Sequence, residues 1–179
     1  TENAVQKHNK VAADPTQGEL PDKDGKPSGV KWALDTATGE LSITGSGVPY
    51  LGSVMDNPAA SPFWKSHREE IKKVVIEKTV RPVSMEGWFS RCSVLESVSK
   101  LPDSVVNAHR LFGDCIRLKK TPDFPENLEV ASCMYDGCKN LTTVSDLPDH
   151  LKDAMDMFSG CEKLVDIPKL PQRLESGYR

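Results

Sequence analysis

Hydrophobic and polar residues follow two different rhythms along this chain, and the change near residue 85 divides it. Val30, Trp32 and Leu34 alternate with polar neighbours, Leu41 and Ile43 do the same, and Ala37-Thr38-Gly39 lies between the two runs. Period-two alternation on both sides of a glycine turn predicts a β-hairpin. Ser61-Pro62 then reads as a helix N-cap and first helical position, so FWKSHREEI predicts a short helix and Lys73-Val74-Val75-Ile76 a further strand. Residues 1 to 28 show no apolar periodicity and are rich in Lys, Asp, Gly and Pro, the composition of a flexible linker or tail. Residues 29–84 are therefore expected to form an N-terminal capping segment and residues 85–179 a second unit.

In that second unit the chain repeats itself. Trp88-Phe89-x-Arg91-Cys92-x-x-Leu95 recurs as Leu111-Phe112-x-Asp114-Cys115-x-x-Leu118, as Met134-Tyr135-x-Gly137-Cys138-x-x-Leu141 and as Met157-Phe158-x-Gly160-Cys161-x-x-Leu164. The cysteines of this motif are 23 residues apart, and Pro102, Pro125, Pro148 and Pro171 keep the same period. Further columns hold Val105, Leu128, Leu151 and Leu174, and Ala108, Ala131 and Ala154. A fixed period of this length makes each unit one coil of a solenoid, too small to bury its own apolar side. Leu95, Val98 and Leu101 are expected to point inward along a short strand that Pro102 ends. Val105, Ala108, Leu111 and Phe112 suit a helical or 3₁₀ return path facing the same core. The expected class is an α/β repeat solenoid with short parallel strands, in which Phe89, Phe112, Tyr135 and Phe158 stack along the axis.

The F-x-G-C-x-x-L signature on this period resembles the BspA-type leucine-rich-repeat family of bacterial surface proteins. The resemblance extends before the repeats, where Trp32, Leu34, Gly39, Leu41, Ile43, Gly45, Gly47, Phe63-Trp64, Ile71, Val74 and Ile76 follow the family's leading segment, and it covers residues 30 to 179. Arg91 and Asp114 depart from it by replacing the usual glycine. The L-P-x-x-L strand ends are also similar to secreted bacterial ubiquitin-ligase effectors, which lack the Phe and Cys columns. The resemblance implies a right-handed leucine-rich-repeat solenoid, secreted or attached to the cell wall. It also implies binding without catalysis, as in adhesion to host extracellular matrix proteins or other cells.

Charge narrows the partners. The chain of 179 residues carries 23 basic and 26 acidic residues, a net charge of −3, with no basic stripe for phosphate binding, so nucleic acid is not an expected partner. No run approaches the roughly 18 to 20 consecutive apolar residues of a membrane span. Thirteen prolines and 6% aromatics imply many short elements. The chain begins at Thr1 with no signal peptide visible, and the repeats stop before the next Phe-x-Gly-Cys, so further repeats, a further domain or self-association of the last coil are expected.

Candidate chemistry is thin. Structural zinc sites draw ligands in local pairs, whereas Cys92, Cys115, Cys138 and Cys161 stand one to a coil, so free, buried thiols and no metal or cofactor are expected. Cys133 lies outside that column and is the thiol whose exposure matters. His8, His67, His109 and His150 share no repeat position, and His67-Arg-Glu-Glu70 lacks the second histidine of H-E-x-x-H. Ser97-x-x-Lys100 matches the acyl-enzyme S-x-x-K only formally, because Ser97 shares its column with Lys120, Thr143 and Asp166. Gly45-Ser46-Gly47 is a turn, and Asn140-Leu-Thr142 is a glycosylation sequon only in a eukaryotic secretory path.

Repeat proteins bind with the side chains that face outward from their strands. Those columns are Glu96, Lys119, Thr142 and Val165; Ser97, Lys120, Thr143 and Asp166; and Lys100, Asp123, Asp146 and Lys169. The polar members form the candidate face for a protein or glycan ligand. Competing readings are a plain solvated face on a structural spacer, and the recognition repeats of a secreted effector enzyme whose catalytic domain lies elsewhere.

Overall fold

A computed structural model describes residues 15–53 and 62–175. Five strands form one sheet in chain order: β1 (Gln17–Pro21), β2 (Pro27–Asp35), β3 (Glu40–Gly45), β4 (Lys73–Ile76) and β5 (Ser97–Val98). The first three pair antiparallel, and β3–β4 and β4–β5 pair parallel, so the sheet changes from hairpin to stacked coil within itself. Trp32 lies opposite Ile43 and Leu34 opposite Leu41, which puts every apolar member of the alternation on the buried face. The connecting turn is closed by Gly39 N–H to the Asp35 carbonyl at 2.7 Å, with Gly39 at a φ of 76° that glycine adopts freely.

Beyond β5 the parallel pairing continues as single bridges. Lys120 pairs with Thr143 on one side, and Ser84, Asn107, Val130 and Asp153 pair in succession on another, each 23 residues from the next. The return path is also a ladder. The N–H groups of Ala108, Arg110, Phe112 and Asp114 donate to Val130, Ser132, Met134 and Asp136 in the following coil, at 2.7 to 3.0 Å. Between them Leu111, Gly113 and Cys115 close local turns to Ala108, Arg110 and Phe112. Four of these seven backbone donors are thus satisfied by a neighbouring coil, so one coil alone would leave them unpaired.

The core runs unbroken from the hairpin into the coils. Leu95, Leu118 and Leu141, Val105, Leu128 and Leu151, and the alanine column are all buried. Phe89, Phe112, Tyr135 and Phe158 stack at centroid distances of 5.8, 5.3 and 5.7 Å, as the sequence predicts. Trp64 extends the stack onto the cap, 5.9 Å from Phe89, and edge-on contacts join it to Trp32 and Trp88. In the last coil, by contrast, Val165 is 90% exposed and Ile167 and Leu170 are also open to solvent.

Three expectations are corrected. First, among the described residues there is no α-helix: the return paths are turns, so the α part of the α/β expectation is absent there. Second, the helix expected over residues 63–71 is only a 3₁₀ turn, Lys65–His67, while Ser61 lies outside the described residues. A helix needs a second row of apolar side chains three and four residues after Trp64, and those positions hold His67 and Arg68. Third, the stretch assigned to a linker contains β1, whose Leu20 is fully buried and whose following turn is tied by Asp24 and Lys26 N–H groups to the Asp22 carboxylate, each at 2.9 Å. That stretch cannot fold alone, but it needs only one buried leucine and a backbone ladder when β2 is already in place.

Candidate functional site

The coil geometry decides which side chains are presented together. Because successive coils are in register, one outward position repeats as a column along the axis, and the twelve positions of the three outward columns are all exposed. Glu96, Ser97, Lys100, Lys120 and Asp123 surround one cleft of about 290 Å³. There the Lys100 ammonium donates to Asp103 at 3.1 Å, a bond that raises its pKa above the ordinary lysine value. Asp146 and Lys169 fall in a separate cleft of about 640 Å³ between the last two coils, with His150 and Arg173. Thr142, Thr143 and Asp166 are exposed but line neither of these. Thr142 Oγ1 is turned back onto the Lys119 carbonyl at 3.2 Å.

Lys119 belongs to a third concavity, about 500 Å³, that the alternation argument did not find. Its other walls are Glu96, Arg117, Asn140 and Lys163. Arg117, Asn140 and Lys163 share one column, immediately before Leu118, Leu141 and Leu164, and the stacking of the coils opens it onto the same hollow as Lys119. Arg117 Nη1 lies 3.7 Å from Glu96 Oε1, with both side chains more than half exposed. Lys163 Nζ donates to Asn140 Oδ1 at 2.6 Å, and Asn140 Nδ2 donates to the Ile116 carbonyl at 2.7 Å. A further surface missed by the sequence reading is on the cap, where Val48, Pro49, Tyr50 and Val83 meet Asp22 and Asp24 around about 620 Å³.

The cysteines face inward. The thiols of Cys115, Cys138 and Cys161 donate to the carbonyls of Phe89, Phe112 and Tyr135, at 3.1, 3.2 and 3.2 Å. Burial raises every one of them: Cys92 is pushed up to about 12 and Cys161 to about 11, and Cys115 and Cys138 are raised as well. Cys133 is half-buried at a φ of 52°, and burial followed by the Asp136 carboxylate raises its thiol too. These are protonated, weakly nucleophilic thiols at neutral pH. Of the histidines, His109 Nδ1 is 2.9 Å from Ser132 Oγ and His67 Nδ1 is 2.8 Å from Glu70, whereas His8 lies outside the described residues. Among the described residues no group of three or more His, Cys, Asp or Glu is placed to hold a metal ion, and no helix is long and apolar enough to cross a membrane.

No protein-family model matches the chain, and no curated protein does either. Two solved structures align with it, both of leucine-rich repeat proteins. One is from Eubacterium ventriosum ATCC 27560, at 18% identity over 73% of this chain, with a TM-score of 0.42. This chain spans only 43% of that protein's length. The other is the T. pallidum Leucine Rich Repeat protein, at 19% identity over 87% of this chain and 84% of that one, with a TM-score of 0.48.

Proposed function

We propose that this chain is a non-catalytic binding module of a secreted or cell-surface bacterial protein. In this reading it is a right-handed leucine-rich-repeat solenoid of the BspA type, with residues 85–179 as repeats and the sheet segment before them, β1 included, as their cap. Its ligand is a protein or glycan, host extracellular matrix included. The observation that carries the reading is the split between columns: the inward ones through Leu95, Leu118 and Leu141 are fully buried, while Glu96, Lys119, Thr142 and their neighbours are exposed in register. A surface so ordered can be matched by an extended partner, and curvature of stacked coils makes such faces broad sites. The raised thiols support binding over cysteine-based catalysis, because the thiolate is the nucleophile.

An array of glycans and extracellular-matrix proteins tests the proposal, using the chain and a variant carrying Lys100→Glu, Lys119→Glu and Lys120→Glu. Selective binding that the variant loses, with its cooperative melting intact, is the expected result. Absence of binding to every ligand by the unsubstituted chain would overturn the adhesin reading and leave a structural spacer.

A further inference from the structure

We infer that the hollow between Arg117, Lys119 and Lys163 is a subsite for an anionic polysaccharide. The inference rests on the binding-module reading and supplies its ligand class.

The charge balance of the site opposes that of the chain. Three cationic groups face one carboxylate there, on a chain of net charge −3. That carboxylate, Glu96, makes a long, exposed ion pair to Arg117 at 3.7 Å, the kind that contributes little and is readily exchanged for another anion. Lys163 is oriented by Asn140, which is itself anchored to the Ile116 carbonyl, so its ammonium is positioned before any ligand arrives.

Spacing and chemistry then select the ligand. Arg117 and Lys163 are two coils apart, and the aromatic stack gives a step of 5.3 to 5.8 Å per coil. Their positions are thus about two such steps apart along the axis, a spacing that a polymer with charges on successive units can match. The walls carry no aromatic or large apolar side chain, the anchors on which protein partners depend. A hydroxyl-rich chain needs no such anchor, because it presents donors and acceptors along its whole length. Sulfate and carboxylate groups would both suit the guanidinium and the two ammonium groups.

The test is binding of dextran sulfate and polygalacturonate, with neutral dextran and polyglutamate as comparators, in salt of about 50 mM where screening is weak. The expected result is binding of at least one anionic polysaccharide in preference to both comparators. Whichever of the two binds tighter identifies sulfate or carboxylate as the group recognised. Arg117→Glu with Lys163→Glu should weaken it about tenfold or more, Glu96→Gln should tighten it about threefold, and Lys78→Glu on the cap should leave it unchanged. Cooperative melting of each variant shows that it is folded. Equal binding by the Arg117/Lys163 variant, or tightest binding of polyglutamate, overturns the assignment. If a matrix ligand still binds but neither anionic polysaccharide does, this inference fails while the binding-module reading stands.

Discussion

The Cys138 thiol donates a hydrogen bond to the Phe112 carbonyl, 3.2 Å away in the preceding coil. That bond joins the two columns by which the repeat is recognised, and it explains why they travel together. The aromatic ring stacks on its counterpart, and the cysteine that follows it by three residues reaches back to the aromatic residue of the coil before. A small side chain with a weak donor fits that narrow position, and burial keeps it protonated.

The thiols should therefore be slow to label and sensitive to alkali. At pH 8 a disulfide reagent should react with none of the four column cysteines on the timescale of its reaction with the urea-unfolded chain. Cys92 gives the sign of the pH effect. Its pKa is raised from an ordinary 9.0 to about 12 in the folded state, so its contribution to stability is complete below pH 9. Above that the unfolded chain binds fewer protons, and the contribution shrinks as pH rises through 9 towards 12, at up to about 1.4 kcal/mol per unit. Urea unfolding at pH 8 and pH 10 should show a smaller loss in Cys92→Ala than in the parent. Equal losses in the two proteins would refute the assignment of that slope to Cys92.

Tyr135 offers a test of the stack. Its hydroxyl is buried with no hydrogen-bond partner among the described residues, while its ring lies 5.3 Å from Phe112 and 5.7 Å from Phe158. Tyr135→Phe keeps the rings and removes an unpaired polar group whose burial costs about 1 to 3 kcal/mol. The variant should melt at the same temperature as the parent or higher. Leu141→Asp, which places a carboxylate in a fully buried column, should abolish cooperative melting. A drop of several degrees for Tyr135→Phe would mean that the hydroxyl has an acceptor after all.

Backbone handedness supplies a coupled pair. Arg91, Asp114, Gly137 and Gly160 share one column and all have positive φ, between 60° and 75°. A Cβ on Gly137 would also sit 2.5 Å from Asp114 Oδ1. Gly137→Ala should destabilise the array by about 1 to 3 kcal/mol, through left-handed strain and that overlap together. In an Asp114→Gly background the overlap is gone, so the same substitution should cost about 1 kcal/mol less. Additive losses in the double-mutant cycle would show that the Asp114 side chain moves aside without cost.

How much of this was readable beforehand follows from which features repeat by residue type. Leucine, aromatic, cysteine and alanine columns are written in side-chain chemistry, so the coils, their period and the stack could be read directly. A second positive-φ column, Gly87, Arg110, Cys133 and Asp156, could not, because four different residue types occupy one backbone conformation. β1 was hidden for another reason: a single leucine among polar residues is no pattern until β2 is present to pair with it. The hollow at Arg117 and Lys163 was missed because alternation along a strand does not reveal which neighbouring columns open onto the same space.

Two features join the cap to the coils: the parallel pairing of β4 with β5 and the side chain of Trp64. Trp64 stacks on Phe89 at 5.9 Å, meets Trp32 and Trp88 edge-on, and its indole N–H donates to the Trp88 carbonyl at 2.9 Å. Removing it in Trp64→Ala empties the space where the hairpin sheet meets the first coil, a change that costs about 3 to 5 kcal/mol at buried aromatic positions. Trp64→Phe keeps a ring to stack on Phe89 and loses the hydrogen bond and part of the packing, so its cost should be smaller, about 1 to 2 kcal/mol. Location matters more than size here. If cap and coils melt as one unit in the parent, Trp64→Ala should divide the transition in two, because each half keeps its own buried residues but loses the shared ring. Denaturant unfolding followed by hydrogen exchange checks this: early exchange of β2 and β3 amides, with the amides of Phe112 and Cys138 still protected, is the expected pattern. Simultaneous loss of protection in both regions would show that β3–β4 and β4–β5 pairing, rather than Trp64, holds the cap to the repeats.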